Sequence, residues 1–156
     1  MNEREIRIYV CGASYEAERS ARAIAALRER GAMVTHDWTT SAIAMRPHGG
    51  DSGLDAVLRW RATLEDLAAV DAAHVVLWLV PERGSTGAGF EAGYAFARGV
   101  TVIAAGPHTT ATIFSAVATT TALDDETGVE IAVRAARRIA KRTSDPRAST
   151  IRLVEE

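Results

Sequence analysis

"HVVLWLVPERGSTGAGFEAGYAFARGVTVIA", residues 74–104, decides the fold. Its first seven residues form the most hydrophobic run of the chain, rich in valine, as in a strand buried on both faces. A turn containing Pro81 and Gly84 follows, then a helical segment over residues 89–98 closed by Gly99, then a second buried run at 100–104. Strand, helix and strand at this spacing make a parallel βαβ unit.

The pattern repeats outward from that unit. Toward the N-terminus, residues 6–11 (IRIYVC) read as a buried strand, and residues 16–30 as a helix with Ala17, Ala21, Ile24, Ala25 and Leu27 on one face. Gly31 ends that helix and a short strand follows at 33–36. Residues 54–70 read as a helix whose apolar face is Leu54, Val57, Leu58, Leu64, Leu67 and Ala68. Toward the C-terminus, residues 118–123 are weakly strand-like. Residues 126–142 form a helix with Arg134, Arg137, Arg138 and Lys141 toward solvent. Residues 39–53 mix Thr, Ser, Pro and Gly without period and read as a long loop of the kind that forms lids. The expectation is one α/β domain over residues 1–143, a doubly wound parallel sheet, and a tail over 144–156 whose IRLV pairs with another chain or frays.

Global numbers narrow the function. The 156 residues are 47% hydrophobic and 24% charged with a net charge of -2, the balance of an ordinary globular domain. That charge gives no electrostatic case for a nucleic-acid polymer or a membrane surface as partner. Cys11 is the single cysteine, so no disulfide framework exists, and the four histidines lack metal-ligand spacing. MNEREIRIYV has no apolar core of a signal peptide, which points to a cytoplasmic protein.

In a doubly wound sheet, ligands bind at the carboxyl ends of the strands. After the first strand, Gly12 lets the backbone turn, and Ser14 and Tyr15 bring hydroxyls. Ser14 suits a helix N-cap, a ligand contact, or both. Trp38 follows the second strand and is a candidate wall of a pocket. After the central strand, the glycine-rich turn presents N–H groups and a helix N-terminus to an anion. It lacks the lysine of a P-loop, and it follows the wrong strand for a dinucleotide fingerprint. What remains is Glu91 in the first turns of a helix, either a partner of the helix dipole or a carboxylate aimed at the cleft. Asp66 is a second acid, late on the preceding helix. Glu65 beside it cannot share its face, so one points to solvent and the other to the cleft. Two carboxylates around a small pocket suit glycosidic bond chemistry.

Three segments, IYVCGASY, EDLAAVDAAHVVLWLV and STGAGFEAGYAFARGVTVI, together spanning roughly residues 5–107, resemble the nucleoside 2-deoxyribosyltransferase superfamily. Its relatives include the deoxynucleoside 5′-monophosphate N-glycosidases. The core of the likeness is Gly87, Gly89, Glu91, Gly93 and Ala95. The resemblance implies a flavodoxin-like sheet of five parallel strands. It implies that Glu91 attacks C1′ of a (deoxy)ribosyl group, that Asp66 assists the base or holds the sugar, and that Tyr15 orients the nucleophile or stacks near the base. Ser85, where nucleoside transferases commonly have aspartate, points with the amides of Gly87 to Gly89 to a 5′-phosphate. The first loop departs from the monophosphate enzymes, supplying only Arg19 and Arg22, and His74 stands where aspartate is usual, as a structural variation. The implied partner is a small nucleoside or nucleotide, with no metal or organic cofactor. A homo-oligomer is also implied, since such sites often borrow residues from a neighbouring subunit. Two rival readings stay open: a non-catalytic nucleotide-binding or sensing module on the same fold, and a glycohydrolase of NAD.

Overall fold

The computed structural model describes residues 5–143, and the tail at 144–156 lies outside the described residues. Five parallel strands form one sheet in the order β2-β1-β3-β4-β5: β1 Ile6–Cys11, β2 Ala32–Val34, β3 Val75–Leu79, β4 Thr101–Ala105 and β5 Thr120–Ala122. The helices are α1 Ala17–Glu29, α2 Thr39–Met45, α3 Ala56–Ala72, α4 Thr86–Ala97 and α5 Asp125–Arg142. This is the flavodoxin-like architecture expected from the βαβ pattern. Among the described residues no helix is long and apolar enough to cross a membrane.

Alternation along each strand sorts the core into two layers. Ile6, Ile8 and Val10 of β1 and Leu77 of β3 face the layer covered by α1 and α5. Tyr9, Cys11, Val76 and Trp78 face the layer covered by α3 and α4. At the amino end of the sheet, His74 is structural: the Arg7 N–H donates to its Nδ1 at 3.1 Å, and its own N–H donates to the Arg7 carbonyl at 2.9 Å.

Three expectations need correction. Residues 39–53 are not a loop: α2 and two short 3-10 turns occupy them. The Asp37 carboxylate accepts from the Thr39 N–H and hydroxyl and starts α2. Arg46 then pins the far end to α1 through two bonds to Glu18, at 2.7 and 2.9 Å. A local Asp37–Thr39 bond and a tertiary ion pair accompany a helix where composition read as coil. Ser14 is not the cap of α1, because a 3-10 turn, Ser14–Glu16, precedes the helix and leaves Ser14 exposed. Finally, the apolar face assigned to α3 is largely uncovered among the described residues, with only Leu54 and Leu67 half-buried. Val57, Leu58 and Leu64 are exposed, and the buried residues are Ala69 and Val70. Periodicity marks a face; it does not say what covers it.

Candidate active site

Helix α4 begins at Thr86, three residues earlier than its pattern suggests, with Ser85 as N-cap accepting from the Ala88 N–H at 3.4 Å. Glu91 therefore lies beyond the first turn, where the helix dipole gives a carboxylate little. The dipole does not account for it. Instead Glu91 is turned inward onto the sheet beside Ala88, Ala92 and Ala95, against β1.

Its partner there is Tyr9, whose Oη donates to Glu91 Oε1 at 2.9 Å. Tyr9 is fully buried in the middle of β1. The sequence reading missed it, although a phenol in an otherwise aliphatic buried strand must find an acceptor. Tyr15, expected to orient the nucleophile or to stack near the base, bonds Arg83 and not Glu91. Its hydroxyl donates to the Arg83 carbonyl and accepts the Arg83 N–H at 3.0 Å, while the Arg83 guanidinium stacks 4.5 Å from its ring centre. Tyr15 thus joins the loop after β1 to the loop before α4.

Asp66 completes the acidic pair. It is half-buried on the sheet-facing side of α3, while Glu65 is exposed, as their adjacency requires. His36, at the end of β2, brings Nε2 to 3.7 Å from Asp66 Oδ1. The ends of α3 and α4 are locked together on Asp71, which accepts from Tyr94 Oη at 2.9 Å and Arg98 Nε at 2.8 Å. These exposed bonds tie together the ends of the two helices that carry the acids.

The electrostatics follow from burial. Glu91 is pushed up to about 8, first by loss of solvation and then by the Asp66 charge; the Tyr9 hydrogen bond opposes the rise. Cys11 packs fully buried on the same face, and burial raises its thiol well above the usual range. Among the described residues, no cluster of His, Cys, Asp or Glu has metal-holding geometry.

The remaining candidates surround this pair. Gly12 permits the chain to turn close to α1, since a Cβ there would strike Ser20 Oγ. Trp38 lies beside Gly12 and donates from Nε1 to the Val10 carbonyl at 2.8 Å, so it caps the end of β1. At the start of α4 the glycine amides divide. The Gly89 N–H is spent on the Ser85 carbonyl at 3.2 Å, whereas Thr86 and Gly87 are first-turn positions with no intrahelical acceptor. Arg19 is not available to a ligand phosphate through its fork. Its Nε and Nη2 each bond Asp125 at 2.7 Å, and its Nη1 donates to the Val80 carbonyl at 2.9 Å. It clamps α1, α5 and the end of β3, and Gly106, at φ +110, is glycine because a Cβ would enter this guanidinium.

No known family and no curated protein matches the chain by sequence. Among solved structures, the chain is similar to the CMP N-glycosidase BcmB of Clostridium botulinum. The two are 14% identical with a TM-score of 0.52, over 82% of this chain and 95% of that one. At that identity the likeness shows a shared fold.

Proposed function

We propose that the protein cleaves or transfers at the N-glycosidic bond of a (deoxy)nucleoside or its 5′-monophosphate, with Glu91 as nucleophile. The observation that carries this reading is the half-buried, desolvated Glu91, hydrogen-bonded by Tyr9 and raised by the Asp66 charge. A carboxylate held that way is costly for the fold and useful for chemistry. The likeness in fold to a CMP N-glycosidase points in the same direction.

Below about pH 8 the pair retains a proton. That proton rests on Glu91, and in the reacting form it passes to Asp66 and leaves Glu91 ionised. Glu91 forms the bond to C1′ as the C1′–N bond breaks, and the electron pair leaves with the base, which takes the Asp66 proton. Water or an acceptor base then attacks C1′, gives its proton to the now ionised Asp66, and releases Glu91 as the carboxylate. Tyr9 steadies the carboxylate through its hydrogen bond. The start of α4 lies about 7.5 Å along the helix axis from Glu91, at 1.5 Å per residue. The open amides of Thr86 and Gly87, Ser85, and Arg83 held by Tyr15 suit a 5′-phosphate there.

The same proposal has the protein assemble as a homo-oligomer through α3 and α4. Trp60, Leu64, Phe90 and Phe96 are exposed on these helices, and Ile113 and Phe114 in the 3-10 turn after β4. Phe90 adjoins Glu91, so a second copy on this face would shield the acids from bulk water, which any transfer reaction requires.

The deciding experiment is incubation with matched nucleosides and 5′-monophosphates, with released base read by chromatography. The expected result is base release with a preference for the monophosphate of about tenfold or more in kcat/KM, the worth of one charge-assisted hydrogen bond. Ser85→Asp should erase that preference. Preference for the nucleoside would move the phosphate site elsewhere. No release from any substrate would favour a non-catalytic nucleotide-binding module.

A further inference from the structure

The solvent face of α5 carries a feature that the acidic pair does not use. A groove of about 530 Å³ lies between the end of α1 and the second half of α5, lined by Arg30, Arg134, Arg137, Arg138 and Lys141, with Glu130 as the sole acid. Its floor includes the buried Val133. Since α5 starts beside Gly106 at the carboxyl end of β4 and runs back under the sheet, the groove lies toward the amino end, away from Glu91.

A charged helix face is usually no more than a solvated surface, and three observations separate this one. First, the concentration is local: the whole chain has 18 basic and 20 acidic residues, yet five of the six charged side chains here are cations. Second, the pattern works against the helix. Arg134 and Arg138, and Arg137 and Lys141, are like-charge pairs four residues apart, which destabilise an isolated helix. Lys141 and Arg142 are in the last turn, where the dipole favours cations, but Arg134 lies two turns earlier, beyond its reach. Third, the hydrogen bonds that hold these arginines go to carbonyls. Arg137 Nη2 donates to the Arg30 carbonyl at 3.3 Å and Arg30 Nη1 to the Ala26 carbonyl at 3.1 Å. Among the described residues, none of the four arginines is in an ion pair, whereas Arg19, Arg28, Arg46 and Arg98 all are.

We propose that this groove binds a short polyanion carrying adjacent phosphates, such as the phosphate chain of a nucleoside triphosphate or an inorganic oligophosphate. Arginine forks match phosphate oxygens two at a time, and several forks converge here. The lining residues of α5 span about 17 Å of helix, which suits a nucleotide-sized ligand. A long polymer is disfavoured. With the cations gathered in one groove and the chain net negative, the surface around it is net acidic and repels a polyanion that runs past the groove.

The test is calorimetric titration of the full chain with inorganic tripolyphosphate, with ATP, orthophosphate and a single-stranded oligonucleotide as further arms. Tripolyphosphate should saturate one site per chain, at least about tenfold tighter than orthophosphate, and weaken as salt rises from roughly 0.05 M to 0.5 M. ATP matching tripolyphosphate places recognition in the phosphates; tighter ATP adds a base contact to the same site. Arg134→Glu with Arg138→Glu should lose at least about tenfold, a charge pair's worth of phosphate contact. Arg59→Glu with Arg61→Glu, on exposed α3, should lose nothing. Should the first variant misfold, hydrogen exchange on the unaltered protein still decides, since tripolyphosphate should slow exchange around Arg30 and along residues 130–142. Absence of saturable binding, equal loss in both double variants, or protection elsewhere would overturn the proposal. So would tighter binding of the oligonucleotide, which would mark a polymer surface. None of these readouts depends on turnover, so failure here leaves the glycosidic reading untouched.

Discussion

The two faces of the sheet are built on opposite plans. On the α1/α5 face, apolar side chains point in and charges point out: Ile24, Leu27, Val129 and Val133 are buried, and Arg134 and Arg138 are exposed. On the α3/α4 face, the two acids Asp66 and Glu91 turn toward the sheet, while large apolar side chains face out, Trp60 at 65% exposure and Phe90 at 59%. The first plan is the ordinary amphipathic arrangement that stabilises a monomer. The second is a poor way to stabilise one. Its cost makes sense where the inner acids perform chemistry and the outer face meets something else.

The comparison breaks first at Glu91. Glu91→Gln should abolish turnover, because the amide keeps the size and loses the charge that attacks C1′. Stability should move the other way. Glu91 ionises only near pH 8 in the folded protein and near its ordinary 4.5 in the unfolded chain. Its contribution is therefore fully present below about pH 4.5 and lost as pH rises through 8. The Gln variant lacks that loss, so thermal unfolding should find it equal to the parent at acid pH and more stable above pH 8. A variant that keeps its activity, or that is less stable at high pH, would return Glu91 to a structural role.

A smaller effect is expected at Tyr9. Tyr9→Phe removes the hydrogen bond to Glu91 and should lower kcat by about ten- to a hundredfold, the range for a bond to a charged group, with KM nearly unchanged. The same bond holds the Glu91 value down, so the alkaline limb of the pH–rate profile should move above its expected position near 8. Loss of activity with an unmoved limb would make Tyr9 a packing residue only.

On the outer surface, Trp60→Glu with Leu64→Glu should dissociate the assembly, read as a fall in mass by light scattering, while the circular dichroism of the fold is retained. A parent protein that is already monomeric would remove the partner copy from the account of this face.

The smallest effect sharpens that result. Gly93 is on α4, has no positive φ, and a Cβ there would meet no described residue beyond its own helix backbone. In the dissociated background, Gly93→Ala should gain about 1 kcal/mol of stability, the helix-propensity difference. In the parent it should weaken the assembly if a neighbouring helix packs against the glycine. Equal stabilisation in both would leave this glycine without a role in assembly.

Much of this was legible in the chain. Hydrophobic runs bounded by glycine and proline fix β1, β3 and β4 to within a residue or two, because a strand buried on both faces admits almost no polar residue. Adjacent Glu65 and Asp66 could not both face the cleft, so their division followed from helix geometry. Residues 39–53 were illegible: α2 follows an Asp37 carboxylate that holds Thr39, and Arg46 reaches Glu18, a pairing across 28 positions that no local window contains. The glutamate was visible, its orienting group was not. Tyr15 was the nearer hydroxyl in the motif, whereas Tyr9 looks like one more core residue until the sheet lays it under α4.

By itself, then, the sequence determined the alternation of strands and helices and the presence of an acid among glycines, since both are written in local periodicity and residue type. Tertiary structure alone decided which hydroxyl meets that acid, which of the apolar stripes is covered and which arginine is already occupied. Those outcomes depend on which residues distant in the chain become neighbours, and only the packing of helices on both sides of the sheet sets that.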